Sequence, residues 1–292
     1  MSIYDVFNNN KKKPFDKEQY AQQKKAERDA AYELVYDTCK KIQTDGQAFQ
    51  NYLKTQGQFD RYTVTNAILV SAQMPSATQL KDKEAWKKSR VYVNQDAKGI
   101  TILEPGKEYK RDDGGIGTSI NTKKLFDISH TSARVKVEGM EQRPMRELLS
   151  GLVAASPVPI QPVPDLELPA FYDQSQQLIF VKTRLPENQL FMSVGKEVAA
   201  AIFDIKHRED REDSEFKSFC VAYMVSSKYG VDTSEISFDQ LPEGLSELDS
   251  KELRDELLDP MRDVLGEIHN DMFKKLEQVR GAKSREQEQQ ER

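Results

Sequence analysis

The sequence predicts an α+β protein: a helical N-terminal region with a small antiparallel sheet, followed by a mainly helical second domain. Apolar residues recur three or four apart from Tyr20 to Ile42, and again in long runs after Glu187, the period of a helix. Between Val91 and Val137, short alternating runs separated by Asn, Asp and Gly read as half-buried strands and their turns. At 292 residues the chain is too long for one core of ordinary size, so two domains are expected. They divide as a flexible polar arm at 1–14, a first domain at 15–140, a second at 141–280 and a polar tail at 281–292.

From Phe15 to about Leu53 the chain reads as helix, with Ala31, Val35, Cys39 and Ile42 on the inner face, a break at Asp45-Gly46, and Phe49, Tyr52 and Leu53 beyond it. Thr63 or Thr65 caps a buried helix through Asn66–Val70, which ends before Pro75. A short helix follows around Asp82–Lys88. Val91–Val93 and Ile100–Leu103 flank N-Q-D-A-K-G and are expected to form a hairpin, with Gly99 at positive φ. Asp112–Gly115 is a second turn, and Leu125–Ser129 and Ala133–Val137 are further strands.

Residues 142–155 read as a helix packing Leu148, Leu149, Leu152 and Val153. The proline run Ser156–Pro164 is an extended connector or sheet edge, and Leu178–Val181 is a strand. Three helices complete the chain: Glu187–Ile205, Asp213–Tyr229 stopped by Gly230, and Ser250–Val279 kinked or broken at Pro260.

Charge is unevenly spread. The net −5 divides into +6 over residues 1–150 (26 Lys+Arg, 20 Asp+Glu) and −11 over 151–292 (17 against 28), so the two halves are expected to meet different partners. No run approaches the ~20 apolar residues of a membrane span and the N-terminus has no apolar signal core, so a cytoplasmic protein without a membrane partner is expected. Cys39 and Cys220 sit inside apolar helical patterns, as buried free thiols do.

A single-strand binder needs cations for phosphates and aromatic faces for bases. Arg61, Lys87, Lys88, Arg90 and Lys98 offer the first; Tyr62, Trp86 and Tyr92 offer the second. The competing reading is that Trp86 plugs the core and the lysines are ordinary solvated side chains.

The order F-D-R-Y (59–62), N-A-I-L (66–69), Trp86, then a glycine before a strand ending L-E-P (103–105) resembles the N-terminal single-stranded-DNA-binding domain of the ArdC antirestriction family. The runs A-Q-M-P-S-A-T-Q-L-K-D and F-C-V-A-Y-M-V-S-S-K-Y-G-V-D are similar to its LtrC-like branch, carried by conjugative elements of Gram-positive bacteria; the resemblance covers most of residues 1–280. It implies a DNA-binding domain followed by a zincin-like metallopeptidase domain, in which H-E-x-x-H on a helix holds zinc and activates its water. The corresponding helix here reads V-G-K-E-V-A-A, with Lys196 and Ala200 in the histidine positions and Glu197 as the remnant. His130, His207 and His269 are scattered and cannot rebuild the pair. The resemblance therefore implies a degenerate zincin without metal, cofactor or catalytic residues. Glu197 is either a hydrogen-bonding carboxylate in the old cleft or a carboxylate on or just behind the helix surface.

The expectation is a non-enzymatic, single-stranded-DNA-binding accessory protein of a conjugative or other mobile element, in antirestriction or strand protection, whose acidic second domain meets a protein partner. Two readings stay open: a metallopeptidase with an unrecognised ligand set, and an acidic interaction protein or DNA mimic.

Overall fold

The computed structural model describes residues 16–111, 113–133 and 143–290, with side chains to residue 282. Helix α1 (Lys17–Thr44) starts where the Asp16 carboxylate accepts the Glu18 and Gln19 N–H groups, orphan donors of the first turn. Asp45 ends α1 and caps α2 (Gly46–Gln58) through Gln47 and Ala48, so the expected break is a single residue. Gly46 is required by close approach: a Cβ there would lie 2.0 Å from the Phe238 carbonyl oxygen. Helix α3 (Val64–Gln73) is capped by Thr63, ends before Pro75, and buries Val64, Ala67, Ile68, Leu69 and Val70.

Next come β1 (Leu80–Lys81), α4 (Lys83–Lys88), β2 (Ile100–Lys110) and β3 (Ile116–Asp127), forming an antiparallel sheet of order β1-β3-β2. The hairpin differs from expectation. Ile100–Leu103 pairs with Leu125–Thr122, across the turn that holds Gly114 at φ +84°. Val93 instead bridges Thr131, and the Tyr92 carbonyl accepts the Ser132 N–H. Two strands of eleven and twelve residues offer a far longer ladder than Val91–Val93 can. Gly99 is not at positive φ; it is small because Phe126 lies 3.0 Å from where its Cβ would be. The strand expected at Ala133–Val137 lies, from Arg134 on, outside the described residues.

The free edge of β2 is closed by side chains. Asn66 accepts the Leu103 N–H and donates to the Leu103 carbonyl, both at 2.8 Å, and Gln73 does the same for Thr101, both at 2.9 Å. Two amides on α3 thus stand in for a neighbouring strand, satisfying backbone groups that would otherwise invite pairing.

Helix α5 (Met145–Ala155) buries Leu148, Gly151, Leu152 and Ala155, while Val153, expected inside, is exposed. The proline run becomes β4 (Ile160–Val163), an edge strand parallel to β6 (Leu178–Lys182); β5 (Ala170–Asp173), not foreseen, pairs antiparallel on the other side. Prolines suit β4 because an edge strand need not donate outward. Then follow α6 (Glu187–Ile202), a wide turn at Phe203–His207, and α7 (Arg211–Lys228), closed by Gly230 at φ +70°. The last helix is interrupted as expected: α8 (Ser250–Glu252), a π segment Leu253–Leu258, then α9 (Asp259–Gln290). Pro260 has no N–H to give and crowds the carbonyl four residues back, which the widened π turn accommodates.

One continuous core takes side chains from both halves, including Val35, Phe49, Tyr52 and Leu69 with Leu152, Phe203, Met224 and Met272. A Cβ on Gly57 of α2 would lie 2.8 Å from the Met224 carbonyl oxygen of α7. The division near residue 140 therefore separates the sequence but not its packing. A smaller cluster, Val70, Ala77, Ile100, Ile102 and Leu125, lies between α3 and the first sheet. Both cysteines are buried free thiols. Among the described residues no helix is long and apolar enough to cross a membrane.

Candidate nucleic-acid interface and the Glu197 site

Asp82 caps α4 by accepting the Ala85 N–H at 2.7 Å, which sets the helix rotation: Trp86 turns inward while Lys87 and Lys88 face solvent. Trp86 is 2% exposed, its indole N–H donates to the Phe126 carbonyl at 2.8 Å, and the Lys81 ammonium lies 4.7 Å from its ring. It has no free face, so the expected stacking role for Trp86 is corrected: the indole anchors α4 to β3.

Arg90 sits just after the helix at φ +58°, the left-handed position that usually takes glycine. Its N–H donates to the Lys87 carbonyl, and the Val91 N–H donates to the Trp86 carbonyl. The Tyr92 N–H donates to the Ser132 hydroxyl and its carbonyl accepts the Ser132 N–H, and the residue is 61% exposed. Lys98, after the Asn94–Ala97 turn, is also exposed. Arg61 is exposed between α2 and α3, whereas Tyr62 is half-buried and stacked on Phe59 at 5.2 Å, burial pushing its hydroxyl pKa up.

Lys87, Lys88, Arg90, Lys98 and Arg61 form no ion pair among the described residues. In the second half, Lys196, Lys206, Arg211, Lys217 and Lys228 are paired, whereas Lys182, Arg184 and Arg208 form no ion pair among the described residues. The structure thus gathers Lys87, Lys88, Arg90, Tyr92 and Lys98 on α4 and the segment after it, with Trp86 beneath them; Arg61 and Tyr62 stand on a different loop.

Glu197 is 2% exposed, not a surface carboxylate. Its Oε2 accepts the Tyr172 N–H at 2.8 Å and Arg211 Nη1 at 2.8 Å, and its Oε1 accepts Arg211 Nη2 at 3.2 Å. Arg211 Nη1 also reaches the Tyr172 carbonyl at 3.1 Å, and its guanidinium lies 4.7 Å from the Phe171 ring centroid. Burial works against the Arg211 charge; Glu197, with Glu215 behind it, outweighs that and holds its pKa above the ordinary value. Lys196 Nζ stands 3.7 Å from Glu197 and 2.5 Å from Glu215. The Tyr172 hydroxyl donates to Asp204 at 2.6 Å, and burial together with that carboxylate pushes its pKa well up.

Sequence reasoning missed Arg211, Glu215, Tyr172 and Asp204. The available signal was a carboxylate on the apolar face V-G-K-E-V-A-A, which requires a cation when buried. The residues do not fit a divalent metal. Lys196 is a charged ammonium, Ala200 has no donor, Glu197 is fully engaged, and among the described residues no group of three ligating side chains converges.

The histidines stay apart, but His269 is not idle. Its Nδ1 is 2.9 Å from the Tyr229 hydroxyl and its Nε2 3.6 Å from Asp60, which also binds Lys228 at 2.9 Å. Asp60, Lys228 and His269 thereby tie the α2–α3 turn to α7 and α9. A polar groove of about 760 Å³ lies between α2 and the loop after α7, lined by Gln47, Gln50, Lys54, Gln58, Ser227 and Thr233 among others.

No family model matches the chain, and no curated protein matches it in sequence. Among solved structures, the metal-free crystal structure of the antirestriction protein ArdC from plasmid R388 is similar, with a TM-score of 0.50 and 13% identity, over 73% of this chain and 86% of that one. The Mn(II)-bound structure of the same protein has a TM-score of 0.47 and 12% identity, over 74% and 85%. At such identity the likeness is one of fold: this chain has an α+β fold similar to that of ArdC.

Proposed function

We propose that the chain is a single-stranded-DNA-binding accessory protein of a conjugative or other mobile element, antirestriction in type and allied to the LtrC-like branch of the ArdC family. The observation that carries this reading is the set of exposed cations without ion-pair partners on and after α4, beside the outward ring of Tyr92. Cations lacking protein partners are free to replace the counterions of a phosphate chain, and an exposed tyrosine face suits a splayed base. The fold shared with a plasmid-borne antirestriction protein supports the same direction. In this reading the second half is not an enzyme but a structural and interaction module.

The test uses the full chain, because its halves share one core. Fluorescence anisotropy of a labelled oligothymidine is followed across a salt series, with duplex of the same length as comparison. Binding that weakens steeply with salt and favours the single strand is expected; no salt-dependent binding at low ionic strength overturns the proposal.

A further inference from the structure

We propose that the Arg211 guanidinium is the resident cation of the Glu197 site, standing in for a divalent ion and closing the site to one. The inference is independent of the DNA reading. A helix-borne zinc site needs neutral donors one turn apart with the glutamate beside them. Here those positions carry Lys196 and Ala200, and both Glu197 oxygens are bound by Arg211 in a two-pronged pair, the strongest geometry open to a carboxylate and a guanidinium. Lys196, held by Glu215, supplies a second positive charge 3.7 Å away. An entering cation would have to displace one fixed positive charge and approach another.

The pair also does something a metal would not. Glu197 accepts the N–H of Tyr172 and Arg211 donates to the C=O of the same residue, so the two side chains occupy the outward backbone groups of edge strand β5. At Tyr172 they take the place of a neighbouring strand, which bars an extended peptide from pairing there.

The test uses the full chain and Co(II), whose tetrahedral complexes absorb visibly. The variant Lys196→His/Ala200→His, with Arg211 retained, is expected to take up no Co(II). Adding Arg211→Ala to it is expected to give the visible bands, with Glu215 as a further donor. Equal Co(II) affinity with and without Arg211, or stoichiometric uptake by the unmodified protein, overturns the proposal. A melting comparison decides it even where the triple variant does not fold. Breaking a buried pair leaves a lone charge, whereas removing both partners does not. Glu197→Leu and Arg211→Leu are each expected to lower Tm more than the Glu197→Leu/Arg211→Leu double variant; additive losses overturn the lock.

Discussion

Replacing Arg90 by glycine is expected to move stability and DNA binding in opposite directions. Arg90 holds φ +58° with its side chain in solvent. A left-handed backbone costs a residue with a Cβ roughly 1–2 kcal/mol, of which glycine relieves most while losing ~0.5–1 kcal/mol through its freer unfolded chain. The net expectation is a gain of about 0.5–1 kcal/mol, read as a higher urea midpoint with unchanged slope. Binding should weaken. If Lys87, Lys88, Arg90 and Lys98 each neutralise one phosphate, log K falls with log salt at a slope of about −2.8, and Arg90→Gly brings it to about −2.1. Over the range 50–200 mM the unmodified protein would lose roughly fiftyfold in affinity. Anisotropy titrations at four salt concentrations resolve the two slopes. A destabilised variant would refute the backbone argument, since Arg90 would then be holding structure; an unchanged slope would refute its place on the phosphates.

Asn66→Ala strips the Leu103 N–H and C=O of their partners and should cost about 2–4 kcal/mol in urea unfolding, while the more exposed Gln73→Ala costs less. Trp86→Phe removes the bond to Phe126 and leaves a gap, so stability should fall by about 1–3 kcal/mol while oligothymidine affinity is kept; a selective loss of binding would restore Trp86 to the interface. Tyr92→Ala should weaken single-strand binding by about 1–3 kcal/mol with little change in the salt slope, which separates stacking from charge. For His269, burial and then Lys228 lower the pKa, Arg61 adds to this, and Asp60 opposes it. The unfolded chain therefore binds this proton more readily, so stability is whole above about pH 6.5 and declines as pH falls from there toward the lower folded value. Melting at pH 7.5 and 5.5 should show that decline in the unmodified protein and a smaller one in His269→Gln.

Asp16, Asp45, Thr63 and Asp82 each begin a helix; the sequence marks a break at Asp45, a cap at Thr63 or Thr65 and a start near Asp82 because a cap acts within three residues of itself, while Asp16 was not singled out. Gly230 as a stop and Pro260 as an interruption were readable for the same local reason. The hairpin was misplaced because turn chemistry is present in both N-Q-D-A-K-G and D-D-G-G, and ladder length, a non-local quantity, chose between them. The choice between the two readings of Glu197 was not legible because its partner Arg211 begins another helix, fourteen residues on, inside the charged run Lys206–Asp213. The resemblance motifs contain scaffold: Asn66 closes the β2 edge, Trp86 anchors α4, and Asp60 binds Lys228. The cations nearest the proposed DNA path were legible as charges, but whether each has an ion-pair partner depends on residues distant in the chain.

The two amides of α3 hold one strand of the ribbon's base, and α1 braces the other, where Arg28 donates to the Ile120 carbonyl and Glu27 accepts the Thr122 hydroxyl. Beyond Pro105, which pairs with Ile120, β2 continues for five residues, about 17 Å of two-stranded ribbon at ordinary strand rise, toward the exposed Lys107, Tyr109, Lys110 and Arg111. A ribbon anchored at one end is a lever, and a tilt of about 5° at the base swings a tip that far away by roughly 1.5 Å. Because Asn66 and Gln73 grip alternate residues of β2, a slide by one position would break all four bonds at once. Helices α1 and α3 together fix where the ribbon points, and the aim of the solvent-exposed tip is decided within the packed interior.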